Sequence, residues 1–207
     1  MPTAVGREPL PREVLAEHQR ERILEAAVEV FAARGYQGTT VDHLVAAGHI
    51  GVGSFYDQFA NKEECFLAAY ERVESSWRGR IASAIPADET WPRRLAAALA
   101  ALLEAIEEEP PAARLALVEV QAAGARALAE HDRTLDEVAE LLRQGREHSA
   151  VPEQLPATLE VATVGGLAWF LQQRIVGDEA TELPEVLEVV AAPYLGEKAT
   201  AELATRG

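Results

Sequence analysis

At 207 residues, 48% hydrophobic and 26% charged, the chain has the balance of a core-forming globular protein, in one large or two small domains. Its net charge of −15 speaks against nucleic-acid binding by overall attraction, yet residues 1–80 carry only −3 and residues 81–207 carry −12. One cysteine, Cys65, excludes an internal disulfide, and the longest near-apolar stretch, Val161 to Leu171, is too short to span a membrane.

Strand-like alternation is hard to find, and an all-α fold is predicted. Arg20 to Arg34 places Ile23, Ala27, Val30 and Phe31 on one helical stripe, and Gly35 is suited to end that helix. Thr39 or Thr40 can cap a short second helix, Val41 to about Ala47, with Asp42 favoured in its first turn by the helix dipole. Gly48, His49 and Gly51 form a turn, and Val52 to Phe59 gives a third helix. Asn61 caps a fourth that runs toward Ile85. After Pro86 a fifth helix starts at Asp88 or Thr90 and stops at Glu109-Pro110-Pro111. Ala112 to about Leu128 and Thr134 to about Arg146 read as two more. The last two follow Pro156 and run from Pro184 through Leu195.

A short helix, a tight turn and a second short helix with small residues at its start suit a reader of the DNA major groove. From about Arg22 to Tyr70 the chain resembles the DNA-binding domain of the tetracycline-repressor (TetR) family, on ILEAAVEVFAARGYQGTTV, GSFYDQF and NKEECFLAAY. A looser likeness lies in LPEVLEVVAAPYLGEKA, near the end. The family's turn has glycine where this chain has His49, a residue only modestly tolerated at positive φ, and Gly48 could take up the strain by shifting the turn. Gly51 removes the hydroxyl that caps the recognition helix in the family.

Expected DNA contacts are Thr39, Thr40, Gly51, Val52, Gly53, Ser54, Tyr56, Gln58 and Lys62. Thr40, Tyr56 and Lys62 would hold phosphates; Val52 could meet a thymine methyl, and Ser54 and Gln58 base edges. No lysine or arginine lies between Gly35 and Asn61, so the guanine-reading arginine is absent from this helix and readout leans on apolar contacts, water and shape. Arg7 and Arg12 could reach DNA from an N-terminal arm.

The domains are expected at 1–62 (arm and helix-turn-helix) and 63–207 (helical effector-binding and dimerisation part). The helix after Pro156 is apolar on two faces and needs cover on both. A second copy of the chain is the simplest second cover, through Val161, Val164, Gly165, Ala168, Leu171, Val186 and Val190. The resemblance implies the same two-fold homodimer, on an inverted-repeat operator in double-stranded DNA, and a repressor released by a small-molecule effector. An apolar effector pocket between the fourth and eighth helices could involve Trp77, Trp91, Glu119, Trp169 or Phe170, with Gln121 a further candidate.

Five histidines (His18, His43, His49, His131 and His148) show no metal-ligand spacing and read as solvated surface groups. No nucleophile is paired with a base, so neither an enzyme, a cofactor nor a metal is expected. The N-terminal residues show no apolar h-region, which with the lone cysteine predicts a cytoplasmic protein. The alternative function is a helical small-molecule- or partner-binding protein that no longer binds DNA.

Overall fold

Helix α1 runs from Arg12 to Gly38, broken at Gly35, where φ 72° and ψ 159° interrupt the helical path. The computed structural model describes residues 12–205, and among them there are ten α-helices, three short 3-10 segments and no strand. Of the expected arm residues, Arg7 lies outside the described residues, and Arg12 is instead the first residue of α1. After α1 come α2 (Val41–Ala47), α3 (Val52–Tyr56), α4 (Lys62–Ala84), α5 (Trp91–Glu108), α6 (Pro110–Leu117), α7 (Ala125–Leu142), α8 (Leu159–Gly177), α9 (Leu183–Leu195) and α10 (Glu197–Ala204).

Three expectations about helix boundaries need correction. The break between the sixth and seventh helices sits at residues 118–124, not 128–134. There the 3-10 turn Glu119–Ala122 leads into Gly124 at φ 106°, a conformation glycine takes at no steric cost. The regular part of α3 is shorter than Val52–Phe59; beyond Tyr56 the chain closes by Gln58 and Phe59 amides donating to the Phe55 carbonyl. An additional helix, α10, follows Leu195 and packs on α9.

Two apolar clusters hold the molecule. The first joins Ile23 and Phe31 of α1, Leu44 of α2, Phe55 of α3 and Phe66 of α4 to Leu115 and Val120 beyond α5. It runs without interruption across residues 62 and 63, because α4 supplies one wall to the head and another to the rest. The second cluster joins Leu99 of α5, Leu142 of α7, Val164, Leu167 and Leu171 of α8, and Leu187, Val190 and Tyr194 of α9.

At the edge of the second cluster Glu160 is fully buried. Arg146 donates to it from Nε at 2.7 Å and from Nη2 at 2.9 Å, and the Tyr194 hydroxyl donates at 3.3 Å. These donors hold the Glu160 carboxyl below its ordinary value despite burial. A charge in this position is tolerable because it is paired and bonded on several sides.

The exposed face of α8 carries Val161 and Trp169, 55% and 63% exposed, with Gly165 between them and Val176 beyond. Val164 and Leu171 point the other way, into the second cluster. Among the described residues no helix is long and apolar enough to cross a membrane.

Candidate nucleic-acid interface

The head is built by local rules. Thr40 caps α2: its hydroxyl accepts the His43 amide at 3.3 Å, and His43 Nδ1 accepts the Thr40 amide at 3.2 Å, a reciprocal capping box with histidine in the usual Glu or Gln place. Thr39 is not at the surface. It is 1% exposed and its hydroxyl donates to the Gly35 carbonyl at 2.8 Å, which removes it from the set of expected DNA contacts. The neighbouring hydroxyl, that of Thr40, stays exposed.

The turn into α3 also departs from expectation. Gly48 keeps an ordinary φ of −74°, and His49 itself takes φ 50°. Gly48 is needed for space instead: a Cβ there would lie 3.3 Å from the Leu44 carbonyl oxygen and 3.7 Å from Ala26 Cβ. Arg22 secures the turn from α1, donating to the Gly48 carbonyl at 2.7 Å and that of His49 at 3.2 Å.

Helix α3 is anchored by Phe55 and Phe59, both buried, and presents Val52 and Tyr56 outward, 48% and 54% exposed. Gly51 and Gly53 lie on the same exposed edge with open space where a Cβ would stand. Ser54 and Gln58 are half-buried. The outer surface of this helix is therefore narrow, mostly apolar and uncharged apart from Asp57.

The cations near it are largely engaged. Arg20 lies 4.6 Å over the Phe59 ring. Lys62 donates to the Tyr36 carbonyl at 2.7 Å and the Thr39 carbonyl at 3.0 Å and lies 4.2 Å over the Tyr36 ring. It caps the end of α1, and two of its three ammonium N–H groups are taken, so at most one remains for a phosphate. Loss of hydration pushes the Lys62 amine below its ordinary value.

The five residues expected around an effector do not converge. Glu119 turns away from the body's interior: its Oε2 accepts the Tyr36 amide at 2.8 Å, at the kink in α1. Trp169 faces outward on α8, which rules it out as an interior contact in the protomer. Trp91 stacks on His148 and meets Tyr194 edge-on, packed so closely against Gly145 that a Cβ there would collide with its ring. Phe170 lies half-buried under the Arg174 guanidinium. Trp77 is buried in the first cluster, and its indole N–H finds no acceptor among the described residues. Gln121 is exposed.

Periodicity gave no hint of a buried polar pair between α4 and α7. His131 is 5% exposed rather than solvated, with its Nδ1 3.2 Å from the Tyr70 hydroxyl. A cleft of about 440 Å³ opens beside it, lined by Tyr70, Glu74, Arg78, Arg126, Arg133 and Thr134. Burial pushes Glu74 above and His131 below their ordinary values. Cys65 is packed in the first cluster, where burial pushes its thiol up to about 12 and leaves it unreactive.

Four of the seven residues expected at a dimer interface, Val164, Leu171, Val186 and Val190, belong to the protomer's own core and are at most 5% exposed. Val161 and Gly165 are exposed and Ala168 is half-buried. The doubly apolar character of α8 thus divides into one face for its own body and one left outside.

Residues 23–69 match the family model described as bacterial regulatory proteins, tetR family. The chain is 32% identical over 89 residues to the HTH-type transcriptional repressor DhaR of Mycobacterium sp. strain GP1, covering 42% of this chain and 45% of that protein. It is 27% identical over 89 residues to the regulator TcmR of Streptomyces glaucescens, covering 43% and 39%. The matched stretch thus spans less than half the length of these relatives. Among solved structures, a TetR-like regulator from Rhodococcus sp. RHA1 superposes with a TM-score of 0.62 at 25% identity, over 96% of this chain and 98% of the other. The fatty acid degradation regulator FadR from Bacillus halodurans superposes with a TM-score of 0.69 at 19% identity, over 96% of each chain, a likeness of fold. Residues 23–69, the helix-turn-helix head, thus match the tetR family of bacterial regulatory proteins, and the wholly helical body completes a fold shared with a TetR-like regulator.

Proposed function

We propose that this protein is a homodimeric transcriptional regulator that reads an inverted-repeat operator in duplex DNA and is released by a small molecule bound in its body. The observation that carries this reading is α3: Phe55 and Phe59 fix it rigidly while Val52, Gly53 and Tyr56 stand clear of the protein. Thr40 and Tyr56 hold phosphates with their hydroxyls, Lys62 with its remaining N–H group, and Gly51, Val52, Gly53, Ser54 and Gln58 face base edges. The low cation count on this surface makes fit and position, rather than charge, the larger part of recognition.

The outward face of α8, with Val161, Gly165 and Trp169, meets its twin about a two-fold axis. Two heads then have to stand about 34 Å apart to enter successive major grooves. The effector acts through α4, which begins at the head with Lys62 and carries Tyr70 and Trp77 into the body. The cleft beside Tyr70 and His131 provides polar partners for it. A ligand that favours a different α4 position disfavours the DNA-spaced heads by the same free energy.

The test is a fluorescence-anisotropy titration with duplexes from the region upstream of the gene, at several salt concentrations. Saturable, salt-sensitive binding to an inverted repeat, lost in a folded Tyr56→Ala variant, is expected. A dimer that binds no duplex better than a scrambled one supports the alternative, a helical small-molecule- or partner-binding protein.

A further inference from the structure

The joint between head and body is made of two kinds of contact. On one side α1 meets α6 through small apolar groups, with Ala112, Ala113 and Ala116 in the same cluster as Ala27 and Phe31. Apolar burial holds surfaces together without fixing their orientation. At the kink the contact is directional. Glu119, 7% exposed, accepts the Tyr36 N–H at 2.8 Å through Oε2 and lies 3.4 Å from Arg114 Nε through Oε1. Gln37 Nε2 donates to the Ala122 carbonyl at 3.1 Å. On the far side of the same Tyr36 residue, the carbonyl accepts from Lys62 at 2.7 Å.

The kink is what makes this grip feasible. Gly35 at φ 72° takes the Tyr36 amide out of the helical ladder, so it needs an acceptor from elsewhere. A Cβ on Gly35 would lie 3.3 Å from Glu119 Oε2, a tight approach that glycine relieves. Five residues after Gly35, Thr40 caps the start of α2 and the head proper.

We propose that Glu119 is a positioning residue for the DNA-binding head: its carboxylate, held on the body beside α6, grips the Tyr36 amide and transmits displacements between body and head. The proposal rests on reading α3 as the DNA reader. A shift of the 119–122 turn drags the Tyr36 peptide, and with it the start of α2. By reciprocity, DNA that fixes the head must quieten the turn.

Backbone amide exchange in the full chain tests this in two arms. Without DNA, Glu119→Ala should raise exchange at the Tyr36 amide at least tenfold and loosen the head amides of Leu44 and Phe55 relative to the body amides of Leu187 and Val190. Glu119→Gln, which keeps an acceptor, should restore most of the protection, an outcome that loss of bulk packing does not produce. With an operator duplex obtained by selection from a random library, DNA should slow exchange across 112–122 in the wild type and in Glu119→Gln, and not in Glu119→Ala. Equal head and body exchange in Glu119→Ala overturns the proposal whether or not DNA binds, as does DNA protection of 112–122 that survives in that variant. Failure of the wild type to select any duplex counts against the DNA-binding reading alone, and the DNA-free arm still decides the role of Glu119. Should Glu119→Ala not fold, Arg114→Ala together with Gln37→Ala must reproduce the loosening in milder form, and their silence refutes the idea.

Discussion

Trp169→Ala separates the two faces of α8 most cleanly. The side chain is 63% exposed in the protomer, and a tryptophan buries roughly 150–250 Å² when covered, so about 100–160 Å² remains to be covered by a partner. At about 25 cal/mol per Å² that is about 2.5–4 kcal/mol for one copy. Ordering and docking costs consume part of it, so we expect the proposed dimer to weaken by about 2–4 kcal/mol in all, roughly 30- to 1000-fold in the dissociation constant. The control is Leu171→Ala on the opposite face, 3% exposed, which should cost about 2–5 kcal/mol of unfolding free energy while the folded protein still dimerises. Sedimentation velocity over a dilution series reads the first quantity and urea unfolding at fixed concentration the second, since dimer stability depends on concentration. A dissociation constant that moves less than threefold in Trp169→Ala means the exposed face of α8 is not where two copies meet.

Lys62→Met should lower stability by about 1–3 kcal/mol in urea unfolding, because the Tyr36 and Thr39 carbonyls lose charged donors; an unchanged midpoint would show that water replaces them at no cost. His131, pushed by burial below its ordinary 6.5, binds a proton less readily folded than unfolded, so its contribution to stability is intact above that pH and declines as pH falls below it. Glu74, raised above 4.5, runs the opposite way, contributing at low pH and losing that contribution as pH rises, so the comparison must be made against His131→Asn. Between pH 7 and 5 the wild-type stability curve should fall more steeply than the variant's, by at most about 1.4 kcal/mol per pH unit, in thermal or urea melts; parallel curves would refute the assignment. At the DNA surface, replacing thymine by uracil at the base nearest Val52 should weaken binding about 3- to 30-fold, and Val52→Ala should abolish that difference in anisotropy titrations. Equal methyl sensitivity in both proteins would take Val52 out of base reading.

The head was legible before any coordinates because its determinants are local. A cap residue, a glycine at a kink and apolar residues at helical spacing act within a few positions, which is why Thr40, Gly35, Phe55 and Phe59 take the places their types suggest. Sequence patterning places the break before α7 too far along the chain, because the alanine-rich sequence on either side of Gly124 supports helix equally well in both registers. Periodicity likewise shows that α8 is apolar on two sides, and no more: it cannot say that Val164 and Leu171 turn inward while Val161 and Trp169 turn out.

The order of residues was enough to settle a helical fold and a helix-turn-helix head, since hydrogen bonds, caps and stripes of this kind are written within one or two helical turns. Tertiary structure alone decided that Thr39 is buried, that Lys62 caps α1, that His131 meets Tyr70 across 61 positions and that Glu119 grips Tyr36 across 83. Such pairings depend on which faces of distant helices come together, and side-chain type at one position carries no record of what the chain brings to it from far away.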